Sequence, residues 1–250
     1  MNSQKHGKPR HARQAAALIV VVGLLAAWGF ALPTHAGPNQ QGQPPAATGT
    51  ELHVLPVQGN IYMLVGAGGN ITLQIGEDGV LLVDTGLTQN AAAVADAIRK
   101  LTDKPIRYII NTHVHADHTG GNAAIGQLGS TIFGGNTGAG AGVGAGIIAH
   151  ENVLNRMSAP TGQQSPTPFG EWPTDTYVTK KKEMYFNGES IVIEHQPNAH
   201  TDGDSFVYFR RSDVVSAGDI FVTTTFPIID ETRGGNINGV IDALNRLIDI

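Results

Sequence analysis

The chain has 250 residues, 41% of them hydrophobic and 15% charged, with a formal net charge of −5 and no cysteine. This balance supports a real core, while the lack of cysteine excludes disulfides, thiolate ligands and thiol nucleophiles. The acidic charge offers no basic patch to nucleic acid.

In chain order, residues 1–36 read as an export signal peptide. Lys5, Lys8, Arg10 and Arg13 form a positive n-region, an apolar run follows from Ala15 to Leu32, and Ala36 supplies a small residue before a possible cut. An uncleaved membrane anchor is the alternative, because the run approaches spanning length. Either reading puts the rest outside the cytoplasm, periplasmic or secreted. This segment holds four of the 16 basic residues and none of the 21 acidic ones. The remainder is therefore more acidic still, which argues against nucleic acid and anionic lipid as partners.

Residues 37–50 are rich in Gly, Pro and Gln and read as a flexible linker, so the folded domain is expected over 51–250. Leu52–Val57, Ile61–Val65, Asn70–Ile75 and Gly79–Val83 are short β-rich runs divided by turn residues. Asn90–Leu101 has helical periodicity, with an apolar face of Ala93, Val94, Ala97, Ile98 and Leu101. Ile106–Ile110 is a buried strand, and a helix opens at Gly121-Asn122. Gly134–Gly146 is low-complexity, either an insertion or an extended stretch packed on a neighbour. A helix over Glu151–Met157 precedes a long Pro-rich loop, Ala159–Asp175. Strands at Tyr177–Thr179, Ser190–His195, Ser205–Phe209 and Asp213–Ala217 lead to an amphipathic helix from Ile237 to Ile250. Strands, helix, strand, then helix again predict a layered α/β (α+β) protein.

The chemistry concentrates in Asn111–Asn122, where His113, His115, Asp117 and His118 fall within six residues just after a strand. Neutral imidazoles with a carboxylate suit Zn²⁺, Fe or Mn. Such a cluster is costly to assemble without a cation. A solvated, merely His-rich loop is the bland alternative, weakened because the whole chain has only 10 His.

HVHADH resembles the HxHxDH signature of the metallo-β-lactamase superfamily. Further segments fit the same family: LLVDTGL over Leu81–Leu87, Ala199-His200-Thr201 with Asp204, and Ser216–Phe221. The resemblance spans about residues 52–250 and implies a four-layer αββα sandwich with the site at one edge. Carried over by position, it implies that His113, His115 and His200 hold one metal, and Asp117 and His118 a second. Asp219 would bridge them or bind beside them. The cofactor would be one or two Zn²⁺, with Fe or Mn as alternatives. Asp84 would orient a ligand from behind, and Thr201 and Asp204 would support the His200 loop. The family uses one more His near its C-terminus, and none follows His200 here. A C-terminal truncation, or a weak or missing second metal, is the corresponding expectation.

Outside the motif, His195 reads as structural or substrate-facing, His150 as a packing or capping residue, and His53 as ordinary surface. Phe169 and Trp172 are candidates for a pocket wall or a loop anchor. The function expected is hydrolysis of an acyl bond in a small molecule (a β-lactam, lactone, ester or thioester), with Asp117 orienting water and shuttling a proton. Export and the His200 segment resemble the β-lactamase-like branch, whereas Asp219 resembles the glyoxalase II and lactonase pattern. A di-metal redox or accessory protein of the same fold, or a binding module without turnover, is the other class.

Overall fold

The computed structural model describes residues 51–131, 144–158 and 167–250. The segments expected to be an export signal and a linker, most of the Gly134–Gly146 run and part of the Pro-rich loop lie outside them.

Among the described residues, eleven strands form two sheets. The larger holds β1 (His53–Gln58), β2 (Ile61–Val65), β3 (Ile71–Gly76), β4 (Gly79–Val83), β5 (Ile106–Ile110), β6 (Gly146–His150) and β7 (Asp175–Tyr177), in that order. The first four strands form an antiparallel meander, and β4 through β7 are parallel. The smaller sheet is antiparallel, with order β11 (Val214–Ser216), β10 (Ser205–Phe209), β9 (Glu189–His195), β8 (Lys181–Phe186).

The sequence alternation in β4 shows why these sheets stack. Its residues are all buried, but Val80 and Leu82 face one core layer while Leu81 and Val83 face another. The first layer lies between the large sheet and helices α1 (Ala91–Leu101) and α3 (Asn122–Gln127), through Val94, Ile98 and Ile125. The second lies between the sheets, where Leu81, Val83 and Ile110 meet Ile191, Ile193, Val207 and Phe209. Phe206, whose Cβ points the opposite way from Val207, packs with Ala199, Val240 and Ala243 under α5 (Ile237–Ile248). Helix, sheet, sheet, helix is the expected four-layer order. Among the described residues, no helix is long and apolar enough to cross a membrane.

Several elements differ from the sequence reading. On α1 the buried stripe is Ala91, Val94, Ala95, Ala97 and Ile98, while Ala93 and Leu101 are exposed. The stripe follows i, i+3, i+4, i+7 from Ala91, and Leu101, though in phase with it, is left exposed at the helix end. Strand β6 was not anticipated behind its glycine-rich approach, nor β8, whose Lys-rich sequence suits the edge position it occupies. β7 ends at Tyr177, where a strand was expected to begin.

His150 closes β6, and its ring stacks on His195 at 3.6 Å between centroids and 9° between planes. His195 Nε2 donates to the Asp202 carbonyl (2.9 Å), and His150 Nδ1 accepts from Asn152 N (3.3 Å). His150 thus has the packing and capping role expected of it. Burial first, and the His195 ring second, lower the His150 pKa to about 4, with Asp202 opposing. An unfolded histidine titrates near 6.5. The depressed group therefore stabilises the fold above pH ~6.5 and loses that contribution as pH falls toward 4. Urea midpoints from pH 7 to 4 should fall faster in the native chain than in His150→Gln. Parallel curves would refute this assignment.

Candidate metal centre

The motif lies at the C-terminal end of β5. Asn111 N donates to Ile148 O of β6, so His113 leaves the sheet edge from a fixed start. The next residues do not remain a loop. Ala116–Thr119 forms one helical turn (α2), which carries Asp117 and His118. His200 comes from the β9–β10 connection, and Asp219 from a short 3-10 turn after β11.

Three ring nitrogens converge. His115 Nδ1 lies 3.1 Å from His113 Nε2 and 2.9 Å from His200 Nε2. The far nitrogens decide what these atoms are. His200 Nδ1 donates to the Ile228 carbonyl (2.7 Å), and His115 Nε2 to Asp230 Oδ2 (2.8 Å). Thr112 Oγ1 gives its hydrogen to Asp84 Oδ2 (2.7 Å), so it accepts from His113 Nδ1 (3.0 Å). With these tautomers assigned from the network, all three inner nitrogens present lone pairs to one another. Burial, then the neighbouring imidazoles, hold His113 well below its usual pKa. Burial also lowers His115, against the pull of Asp230. Three lone pairs aimed at one point, on rings that are buried at His113 and His200 and part-buried at His115, repel unless a cation stands between them. A tetrahedral ion at about 2.0–2.1 Å from each nitrogen would space them on the order of 3.3 Å apart, close to the spacing seen.

A second grouping shares one ring with the first: His113, His118 and Asp219 can also hold an ion. His118 Nδ1 donates to Asp84 Oδ2 (2.7 Å). Its Nε2 lies 3.1 Å from Asp219 Oδ1. Among the described residues it is the one buried side-chain polar atom without an aligned hydrogen-bond partner. Burial alone would lower the His118 pKa, but the Asp84 and Asp219 carboxylates raise it to about 10. The site therefore asks for positive charge at this nitrogen, which a metal ion would supply in place of a proton. Burial opposes ionisation of Asp219, but His118 and the other imidazoles keep its carboxyl below the usual range. The donor set fits a divalent metal.

Most predicted residues meet here. His113, His115 and His200 form the first grouping. Asp219 joins His118 in the second, and Asp117 stands apart: its carboxylate is 3.7 Å from His118 Nε2 and 44% exposed. Asp84 is buried and accepts from Thr112 N (2.8 Å), Thr112 Oγ1 and His118 Nδ1, so it orients ligands of both groupings. Asp204 accepts from Thr201 N and Oγ1, which shapes the turn after His200. Burial raises the Asp204 carboxyl to about 6 despite those bonds. Trp172 is a loop anchor. Its Nε1 donates to Thr167 O, and Trp172 packs on the cluster of Ala149, Val153 and Met157 that also receives Val114, between the two motif histidines.

Two participants were missed. Thr112 relays Asp84 to His113. Asp230 holds His115 by its side chain and His200 by its backbone, since Asp230 N donates to His200 O (2.9 Å). Asp230 is itself held by Arg233 Nη1 (2.6 Å). Burial opposes its ionisation, but Thr232, His115 and Arg233 keep it strongly acidic. No motif marks Asp230, which lies 115 residues from His115. Glycine is needed at two positions. A Cβ on Gly69 would collide with the His118 ring, and Gly218 combines φ +55° with a Thr112 side chain 2.8 Å from any Cβ.

The metallo-beta-lactamase superfamily model matches residues 64–250. The chain belongs to this superfamily. Solved structures of other members agree in fold. A metallo-beta-lactamase from Pontibacter korlensis aligns over 80% of this chain and 86% of its own, with TM-score 0.62 and 15% identity. A class B3 di-zinc metallo-beta-lactamase from an Alaskan soil metagenome aligns over 83% and 80%, with TM-score 0.59 and 20% identity. A subclass B3 enzyme of Bradyrhizobium japonicum aligns over 77% and 70%, with TM-score 0.54 and 21% identity. No curated protein matches the chain significantly. At these identities the solved structures establish the superfamily fold. The His113, His115 and His200 cluster shows that this member is able to hold a metal.

Proposed function

We propose that this chain is a metal-dependent hydrolase that cleaves an acyl bond in a small molecule (a β-lactam, lactone, ester or thioester) outside the cytoplasm. Superfamily membership supports hydrolysis at the family level. The observation that carries the reading is the convergence of lone pairs from His113, His115 and His200 beside His118 Nε2, which faces Asp219 without an aligned hydrogen bond. Imidazole and carboxylate donors without thiolate suit zinc, iron or manganese, and the di-zinc B3 relative favours zinc. The basic n-region and apolar run of residues 1–36 support export.

When bound, the metal supplies Lewis acidity and makes a water acidic near neutral pH. The protein's own part is positional. Asp230, Thr112 and the Ile228 carbonyl hold the outer protons of His115, His113 and His200, so the inner nitrogens stay open for ligation. Asp84 does the same for His118. Asp117 is the exposed carboxylate beside the cluster. In this role it takes the proton of the attacking water at Oδ2 and returns it to the leaving group.

The test is turnover of a chromogenic cephalosporin, a lactone, a thioester and a phosphodiester, each with zinc and with chelator. Chelator-sensitive cleavage of at least one acyl substrate is expected. Metal binding without turnover of any acyl substrate would favour the accessory or binding class. Asp117→Asn should lower kcat by about a hundredfold with zinc content unchanged. Full kcat in that variant would remove Asp117 from the mechanism.

A further inference from the structure

Residues 220–229 read Ile-Phe-Val-Thr-Thr-Thr-Phe-Pro-Ile-Ile, with no charged side chain. Their two ends are rooted together. Ile220 is buried and Ile229 partly buried in one cluster with Ala199 and Phe206. Both ends also join the metal centre. Asp219, just before the segment, faces His118 Nε2 at 3.1 Å. Near its close, the Ile228 carbonyl accepts from His200 Nδ1 at 2.7 Å, and Asp230, just after it, holds His115. Between these anchors the apolar side chains are uncovered: Phe221 is 56% exposed, Phe226 92% and Ile228 65%. Uncovered apolar side chains grouped in so short a stretch mark a binding surface. Here the surface is tied at both ends to residues of the metal centre.

We infer that residues 220–229 form the acyl-side wall of the site and select substrates with a neutral, apolar acyl group. This deepens the hydrolase reading and rests on it. The charged residues bounding the wall are Asp219 and Asp230, and the nearest guanidinium, Arg233, is already paired to Asp230 (2.6 Å), so an anionic substituent lying on the wall would meet chiefly carboxylates. An aliphatic or aromatic group would instead cover Phe226 and Ile228 and gain their burial. The substrate is the occupant because the wall is continuous with the ligands of the centre.

The test uses the zinc-loaded chain and uncharged metal-binding probes, straight-chain alkyl hydroxamates from acetyl to octanoyl, with Kd read by calorimetry. p-Nitrophenyl esters of the same acyl lengths give kcat/KM in parallel. Each methylene that reaches the wall should tighten Kd by about two- to fourfold, so octanoyl should bind on the order of a hundredfold tighter than acetyl. Phe226→Ser with Ile228→Ser should cut that ratio to below about tenfold with zinc content retained. Phe226→Leu, which keeps an apolar surface, should retain most of it.

A flat series in the native chain overturns the inference, as does an unchanged ratio in the double variant. An equal loss for acetyl and octanoyl also overturns it, since the segment would then act only through the ligands. So does a flat series combined with dimerisation or binding to phosphatidylcholine vesicles that the double variant abolishes. A hydroxamate series with the expected slope but no ester turnover leaves the wall intact and sinks the hydrolase reading. Ester turnover without chain-length dependence does the reverse.

Discussion

Replacing His113 with alanine should abolish metal binding at both groupings. His113 is the one ring they share, and its Nε2 lies against His115 Nδ1 at 3.1 Å. Without it, the first grouping keeps two imidazoles and the second keeps His118 and Asp219. Neither remnant supplies the three protein ligands that catalytic zinc sites keep. The readout is the stabilisation that zinc confers on the folded state. At a hundredfold excess over Kd a ligand adds about 2.7 kcal/mol, which for a domain of this size raises Tm by about 5–10 °C. The native chain should show that rise and lose it with chelator. His113→Ala should show none, and its chelator-sensitive turnover should vanish. The metal-free Tm is a poor guide, because the substitution removes a buried ring but also relieves lone-pair repulsion. A zinc-dependent rise in His113→Ala like that of the native chain would mean the two groupings do not share His113.

Much of this site was legible in the sequence because its residues are local. His113, His115 and His118 lie on one strand end and the turn after it, so their spacing alone brings them together. The four-layer sandwich was legible through the family resemblance, and the run Val80-Leu81-Leu82-Val83, which has no polar face, suits the strand buried on both sides that it forms. What the sequence hid depends on tertiary approach. Thr112 looks like any residue before a histidine until Asp84, 28 residues earlier, is seen to accept its hydroxyl. Asp230 is one acidic residue among 21 until the chain returns it to His115. Asp117 and His118 are neighbours in sequence, yet one helical turn aims His118 inward and leaves Asp117 toward solvent. Strands β6 and β8 were obscured differently, one by the glycines before it and the other by its edge lysines.

Asp84→Asn should separate the two groupings. Asp84 has φ +66°, a left-handed conformation that asparagine tolerates, so the backbone need not move. The hydrogen bonds must. The carboxylate takes Thr112 N on one oxygen, and Thr112 Oγ1 with His118 Nδ1 on the other. An amide has one oxygen and an NH₂ that cannot accept. With its oxygen kept toward the Thr112 backbone, the NH₂ faces Thr112 Oγ1 and His118 Nδ1. His118 relieves the clash by moving its own proton to Nε2, the nitrogen that faces the second grouping. That blocks ligation there, while Thr112 Oγ1 turns its hydrogen away and accepts from the new NH₂ as well as from His113 Nδ1, so the His113, His115 and His200 inner nitrogens keep their lone pairs. The alternative amide orientation strands the Thr112 N–H instead, at about 1–3 kcal/mol for a buried donor. Metal affinity at the His118 grouping should therefore fall by about ten- to a hundredfold, while the three-histidine grouping keeps its metal. Calorimetric zinc titration of the native chain and the variant, with urea midpoints in chelator, resolves both effects. Asp84→Ala should be worse, since it strands all three donors and adds about 1–2 kcal/mol of left-handed strain. If Asp84→Asn binds zinc like the native chain at every site, Asp84 is only a turn residue, and the tautomer of His118 is set by something else.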